Sequence, residues 1–239
     1  MAAYHLVHWQ NPIPAKEQAY AAWLRDSLSP AVLKEPGFRG VQFLALQAVQ
    51  LQPVNPQPWR YCTLYEIDTA HLDAALALFA KVARLQPKEL GWLQSDASHV
   101  FELTRPQINT SNPIDLSAPL HLGFVMGNCI AGKDREYDAW YDDIHAPEVL
   151  GTPDFVGMRR GRIASLQALP ANEQPANRLV LLQIRSRDLH ASIAEFIGRA
   201  LGTSPSGIKW QPREVAAGFA SLQRTTHVFT PFSPRLTAS

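Results

Sequence analysis

The feature that most constrains the fold is an internal repeat. The segment 20–40, YAAWLRDSLSPAVLKEPGFRG, recurs without gaps at 137–157 as YDAWYDDIHAPEVLGTPDFVG, so that Trp140 lies 117 positions after Trp23. Ten of the 21 aligned positions are identical. Chance rarely produces such a match over an ungapped stretch of this length. The sequence therefore indicates two copies of one structural module.

Hydrophobic patterning predicts the same order of elements in both halves. The predicted segments are strand 4–9, helix 15–33, strand 38–46, strand 60–67, helix 69–85 and strand 98–103, then strand 121–126, helix 133–150, strand 155–165, strand 178–184, helix 189–201 and strand 221–229. Each half is thus β-α-β-β-α-β, the order of a ferredoxin-like fold. A sheet that helices cover on one face needs a partner sheet for the other face. The predicted class is α+β, with tandem ferredoxin-like repeats whose antiparallel sheets pack into an α/β barrel.

Proline and polar residues mark the connections. The polar stretch 104–119 contains three prolines, which is typical of a linker. We expect an N-terminal repeat at 1–106, a linker at 107–119 and a C-terminal repeat at 120–239. The segments 47–58 and 167–176 are rich in Gln, Pro or Asn and predict exposed loops. Pro30 predicts a break or kink in the last turn of the first helix.

Charge and apolar content argue against several classes of function. The 22 Lys and Arg residues nearly balance 21 Asp and Glu residues, without a basic run, so neither a nucleic acid nor an anionic membrane is expected as a partner. The N-terminus lacks the features of a signal peptide, and no apolar segment approaches membrane-spanning length. Cys62 and Cys129 are far apart and form no paired motif. We therefore expect a soluble, cytoplasmic protein in a reducing compartment.

The two copies differ along one stripe of the first helix of each repeat. Residues four apart share a helix face, and in the first copy Leu24 and Leu28 make that face apolar, so it should point to the core. In the second copy the stripe contains Tyr137, Tyr141 and His145. An inward imidazole at the position of a leucine is either a packing residue or the reactive group of a pocket.

The second copy resembles a known family. Residues 140–147 carry the pattern W-Y-x-x-x-H-x-P, and P-x-F-V-x-x-R follows at 153–159. This resembles EthD-like members of the dimeric α/β-barrel superfamily over roughly residues 121–165, whereas the first half lacks the histidine and the tyrosine. The resemblance implies the barrel fold and a site in the second repeat. Relatives include cofactor-free polyketide cyclases, muconolactone isomerases, decarboxylases and quinol-forming monooxygenases, and more distant two-copy members bind haem.

A histidine among aromatic side chains suits proton transfer, because imidazole can take and return a proton near neutral pH without a metal or a redox cofactor. We predict a cofactor-independent lyase, isomerase or cyclase that acts on a small aromatic or polyketide-like substrate. His145 is the predicted general acid/base, and Tyr141 the predicted catalytic hydrogen-bond donor. The predicted substrate-binding residues are Tyr137, Trp140, Arg159, His5 and Trp9.

Other interpretations stay open at this stage. His145 or another histidine could be the axial ligand of a haem, or His145 could merely pack in a non-catalytic binding module. Asp142 or Asp143 could orient the imidazole, although helix geometry argues against direct contact. We expect no metal and no cofactor, since the chain has no HExxH pattern, paired cysteines, Gly-rich phosphate loop or GxSxG pattern. Barrel proteins of this kind often pair, so a homodimer is expected.

Overall fold

The structure is a computed structural model that describes residues 2–168 and 176–238. The strands of this part are β1 (Ala2–Pro12), β2 (Phe38–Leu46), β3 (Tyr61–Thr69), β4 (Leu93–Leu103), β5 (Ile108–Asn109), β6 (Leu120–Cys129), β7 (Phe155–Ile163), β8 (Arg178–Arg185), β9 (Ala220–Pro231) and β10 (Leu236–Thr237). The α-helices are α1 (Glu17–Trp23), α2 (Ser29–Leu33), α3 (Leu72–Phe79), α4 (Gln86–Glu89), α5 (Asp134–Trp140), α6 (Ala146–Leu150) and α7 (Leu189–Leu201). Single π-helical turns occupy Leu24–Leu28, Ala80–Leu85 and Tyr141–His145, and a 3₁₀ helix occupies Arg213–Gly218.

The strands close into a ring. Their order is β2-β3-β1-β4-β7-β8-β6-β9, and β9 pairs in turn with β2. The two seams between the halves are antiparallel: Phe101 lies opposite Ile163 on β4 and β7, and Ala45 lies opposite Thr230 on β2 and β9. The predicted α+β class with a large antiparallel sheet is confirmed. The strand order within 2–103 is the same as that within 120–231, although the descent of both halves from one module remains a prediction.

Strand alternation sorts the buried side chains into layers. Val7 and Trp9 of β1 point into the barrel, where they pack with Phe124 of β6 and Phe229 of β9. Leu6, which precedes them, points outward under the helices of the first half. Each fully buried side chain of this size contributes roughly 1.5–3 kcal/mol. The barrel core therefore joins the two halves, while each set of helices covers its own sheet.

The helix predicted at 15–33 is one helix with a π-helical turn in its middle. The Ser29 amide donates to the carbonyl of Leu24, five residues earlier. Pro30 then lies in the first turn of α2, so the prediction that it breaks the last turn is wrong. The widened π-helical turn before it leaves room for the proline ring, which would clash with the preceding turn of a regular α-helix.

The connection 47–58, named here the strap, is only partly the exposed loop that its composition predicts. Gln50 and Leu51 are buried, and Leu51 packs in the core of the second half. The Gln50 amide group donates to the carbonyl of Val228 (3.2 Å) and accepts from its backbone N–H (2.7 Å). Polar strap residues thus supply hydrogen-bond partners to backbone groups of β9 that point away from β6. The composition of the strap alone cannot reveal this role.

The other half carries the reciprocal contact. Gln167 lies 117 positions after Gln50, and its side-chain amide donates to the carbonyl of Val100 (3.0 Å) and accepts from its N–H (2.9 Å). Each half therefore holds the last strand of the other half by a glutamine clasp. Residues 169–175, which belong to the second predicted loop, lie outside the described residues.

Several other predicted boundaries also shift. β1 and β4 extend beyond the predicted 4–9 and 98–103, because pairing with neighbouring strands continues past the apolar runs. The predicted linker contains β5, in which Ile108 pairs with Met158 of β7.

Both cysteines are free and buried. Within the described residues, no helix combines the length and the apolar character needed to cross a bilayer.

Candidate active site

A π-helical turn sets the geometry around His145. In an α-helix, side chains four residues apart share a face, whereas the wider π-helical turn brings residues five apart into register. Trp140 and His145 accordingly stack, with ring centroids 4.5 Å apart and planes inclined by 14°. The predicted inward stripe forms as well: Tyr137, Tyr141 and His145 are all buried against the sheet.

Three aromatic rings enclose the imidazole. Trp140 lies on its face, and the ring of Tyr141 meets it edge-on at 5.2 Å. Trp210, from the segment after α7, approaches at a right angle at 5.7 Å. Sequence reasoning missed Trp210, because nothing in the loop that carries it indicates where it folds back.

Glu148 orients the imidazole. Its Oε2 lies 3.4 Å from Nδ1 of His145, and its Oε1 accepts a hydrogen bond from the backbone N–H of Gln211 at 2.7 Å. A carboxylate at this position favours the tautomer that carries its proton on Nδ1. Nε2 then presents a lone pair, and it has no hydrogen-bond partner among the described residues. Glu148 was not predicted as a site residue. The sequence difference that could have indicated it is that the first copy has Ala31 at the equivalent position.

Burial keeps this histidine neutral. Desolvation lowers the pKa of His145 below its ordinary value, and the nearby Glu148 carboxylate opposes that shift without cancelling it. At neutral pH the ring is therefore an uncharged acceptor, the form that a general base needs. Asp142 takes no part in this, because it is paired with Arg160 and Arg105 instead.

The two tyrosines form a coupled pair. Their ring centroids are 4.9 Å apart, and burial raises the pKa of both phenols. Interaction between the two phenols raises the pKa of Tyr137 further and lowers that of Tyr141, although burial outweighs the lowering. Arg160 lies 5.1 Å above the ring of Tyr141. Both phenols stay protonated at neutral pH, so each can donate a hydrogen bond.

A cation without a counter-ion faces the same region. Arg224 of β9 lines the cavities beside His145 and beside Tyr137. Among the described residues no carboxylate lies within salt-bridge distance of its guanidinium, and burial lowers its pKa. Sequence reasoning missed Arg224. The sequence did contain an indication of its role. When His227 is aligned with His99, Arg224 falls on Asp96, so the charge is reversed between the two halves.

Two small cavities lie next to these side chains, and a wider groove lies further from His145. A cavity of about 30 Å³ lies against His145, Tyr141 and Arg224, and one of about 40 Å³ lies along Tyr137 and Trp140. Such volumes hold one or two water molecules. A groove of about 550 Å³ opens between the strap and α7. It shares with the inner cavity the lining residues Leu51, Gln52, Phe196 and Arg224.

Three predicted site residues lie on the other face of the sheet. Trp9 is inside the barrel, where its Nε1 donates to Nδ1 of His99 at 3.2 Å. His5 is buried nearby, and neither of its ring nitrogens has a hydrogen-bond partner in the part of the chain that the structure describes. Arg159 donates to the side chain of Gln107 at 2.8 Å. Because strand alternation points them away from the helices, the structure does not bring these three residues together with His145, Tyr141, Tyr137 and Trp140.

In the described residues, the surroundings of His145 as they stand provide neither a group of metal ligands nor an open slot for a haem. In the described ranges, no three His, Cys, Asp or Glu side chains are grouped to hold a metal ion. A haem needs an open slot beside an axial histidine, and sites for organic ligands start at about 300 Å³. The cavity at His145 is about 30 Å³, and His145 does not line the wider groove. The aromatic rings around the imidazole occupy the space that a macrocycle would require.

Comparison with known proteins identifies the fold. No family model and no curated protein sequence matches the chain. An anthrone oxidase-like protein superposes with a TM-score of 0.63 at 11% identity, covering 99% of this chain and 93% of that one. A proposed monooxygenase from Lactobacillus acidophilus gives 0.56 at 8%, covering 100% and 97%.

A chlorite dismutase from Candidatus Nitrospira defluvii, in complex with imidazole, gives a TM-score of 0.53 at 10% identity, covering 96% of this chain and 91% of that one. All three similarities extend over nearly the whole chain. At such low identity they show the fold alone, a mixed α+β fold with a large antiparallel sheet.

Proposed function

We propose that the chain is an enzyme that moves a proton on a small aromatic or polyketide-like molecule, with His145 as general acid/base. One observation carries the proposal. The imidazole is held neutral by burial, its Nδ1 faces Glu148, and its ring lines a cavity that Tyr141 and Arg224 also line. A pure packing histidine requires neither the carboxylate nor the void.

The proposed step uses only side chains of this chain. Nε2 of His145 takes a proton from an acidic carbon or hydroxyl of the substrate, and the imidazolium is stabilised by the Glu148 carboxylate. The Tyr141 O–H donates a hydrogen bond to the enolate or phenolate oxygen that forms. The proton returns from Nε2 to a different atom of the substrate, which completes an isomerisation, elimination or cyclisation. A positioned base of this kind typically contributes about 10²–10⁴-fold.

The nature of the walls supports an aromatic substrate. Trp140, Trp210 and Phe196 supply flat apolar surfaces near the imidazole. The inner cavity admits the reacting part of a substrate only if Phe196 or the strap shifts, and the wider groove holds the remainder. That an anthrone oxidase-like protein shares the fold agrees with a polycyclic aromatic substrate.

We also propose that the two halves are copies of one module and that the first repeat is a structural counterpart without this site. Leu24 and Leu28 occupy in the first half the places of Tyr141 and His145, within a π-helical turn of the same length. They pack in a closed apolar core. The repeat boundaries at 1–106 and 120–239, a cytoplasmic location and a homodimer belong to this proposal.

The test uses carbon acids as probes. In deuterated buffer under argon, purified protein is incubated with anthrone and with muconolactone, and deuterium incorporation is followed by mass spectrometry. We expect the wild-type protein to accelerate exchange and His145→Gln to lose about 10²–10⁴-fold of that acceleration. His190→Gln, on the exposed side of α7, is the matched control. Wild-type exchange by His145→Gln, or a Soret band that forms with hemin and depends on His145, would refute the proposal.

A further inference from the structure

The groove outside the inner cavity is built by both halves of the chain. One wall is the strap of the first half, residues Leu51 to Asn55, and the other is the C-terminal part of α7 in the second half. Its volume of about 550 Å³ lies in the usual range for organic ligands, about 300–1,000 Å³. The four residues that it shares with the inner cavity make it the way in to His145.

The charged residues described in the groove are both positive. Arg224 lies at its inner end and Lys209 lies in its wall, and neither has a carboxylate within salt-bridge distance among the described residues. No Asp or Glu is among the described residues that line the groove or the inner cavity. The chain as a whole is nearly neutral, so this imbalance is a local property of the groove.

The position of Arg224 favours an anionic ligand. A partly desolvated guanidinium without a counter-ion is unfavourable, and an anion that binds it removes that penalty. Arginine also matches a carboxylate or a phenolate through paired, charge-assisted hydrogen bonds. Most of the remaining wall is apolar: Val54 and Leu201 line it and are 91% and 69% exposed, and a flat hydrocarbon body would cover them.

We infer that the groove binds an organic anion, an aromatic acid or phenolate, with its anionic group on Arg224 and its ring between the strap and α7. The inference rests on the proposed function only in calling this ligand the substrate. On this inference the first repeat contributes to the binding site, because Leu51 and Gln52 of the strap line both the groove and the inner cavity and so determine which ligands reach His145.

A matched pair of probes tests the charge requirement. Binding of 2-naphthoate and of its neutral analogue 2-naphthamide is measured by calorimetry on the full chain. We expect the acid to bind the wild-type protein about tenfold or more tightly than the amide, and Arg224→Gln to abolish that difference. Arg224→Lys should restore part of it, and Arg135→Gln, at an exposed arginine of α5, should retain all of it. Circular dichroism checks that each variant is folded.

The result separates this inference from the proposed function. His145→Gln should keep the preference for the acid, because that variant leaves Arg224 in place. Equal binding of acid and amide by the wild-type protein, or an unchanged preference in Arg224→Gln, overturns the inference whatever the role of His145 in proton transfer.

Discussion

At the scale of single residues, environment rather than residue type decides what His145 can do. The chain has eight histidines, and several are buried. His121 is held between the Thr230 hydroxyl (2.6 Å) and the Ser186 carbonyl (3.3 Å), so that both of its nitrogens are occupied. His145 has one nitrogen facing a carboxylate, and its ring lines a cavity, the arrangement from which a proton can be exchanged.

The Glu148 carboxylate should control the titration of His145. In Glu148→Gln the imidazolium loses its stabilising charge while burial still disfavours it, so the pKa of His145 should fall further below its ordinary value. Two-dimensional ¹H–¹⁵N spectra of the imidazole measure that pKa directly. Glu136→Gln, at an exposed carboxylate on α5, should leave it unchanged. An unaltered titration in Glu148→Gln would show that the 3.4 Å contact is electrostatically unimportant.

At the scale of elements, the π-helical turn is the feature that distinguishes this helix from the one that its periodicity predicts. It occurs at Leu24–Leu28 and again at Tyr141–His145. In both places it precedes a proline in the first turn of the next helix. The turn aligns Trp140 with His145, which a regular α-helix would place on different faces.

Deletion of one residue from the second π-helical turn should convert it to regular α-helix. Removal of Asp143, which is exposed, should separate the Trp140 ring from His145 and expose the imidazole, which relieves the desolvation that lowers its pKa. We expect the pKa of His145 to move back towards its ordinary value while the barrel remains folded, as measured by NMR and circular dichroism. The matched deletion of Asp26 in the first half should leave the His145 titration as it is in the wild-type protein.

The glutamine clasps predict a measurable stability effect at the seams. Gln50→Ala leaves the backbone of Val228 without two hydrogen bonds, and loss of buried partners costs about 1–3 kcal/mol. Gln167→Ala should have a similar effect through Val100. Urea denaturation measures both. The exposed Gln94→Ala should stay within about 0.5 kcal/mol of the wild-type protein, and an equally small change for Gln50→Ala would contradict the role of the clasp.

At the scale of the whole molecule, the barrel interior joins the halves and contains histidines that stay uncharged. Burial lowers the pKa of His5 and of His227 to about 4. Between that value and about 6.5, the unfolded chain binds more protons than the folded one, so folding stability rises with pH across this window. Acidification should therefore destabilise the barrel well above the range in which carboxylates titrate.

Replacement of His5 should flatten this dependence. For a pKa lowered from 6.5 to about 4, the stability lost on acidification is roughly 3 kcal/mol. In His5→Leu the free energy of unfolding should change less between pH 6.5 and pH 4 than in the wild-type protein, as urea titrations at each pH will show. His190→Leu, at an exposed position, should follow the wild-type curve. Parallel curves for His5→Leu and the wild-type protein would refute the assignment.

Much of the architecture could be predicted from local signals. The bounds of β2 and α7 agree with the prediction residue for residue, since apolar periodicity and flanking Pro or Gly residues are properties of short segments. The inward stripe with Tyr137, Tyr141 and His145 was predicted for the same reason. Glu148, Trp210 and Arg224 were not, because their roles arise from contacts between distant segments.

The sequence by itself determined the order of the elements, the equivalence of the two helix stripes and the presence of a titratable ring on only one of them. These follow from spacing along the chain. Only the tertiary structure decided which face of the sheet each strand residue occupies relative to His145, and it placed His5, Trp9 and Arg159 inside the barrel. It also laid the strap of the first half against the cavity beside His145. The physical reason is that barrel closure joins strands that are far apart in sequence, and no local pattern encodes that pairing.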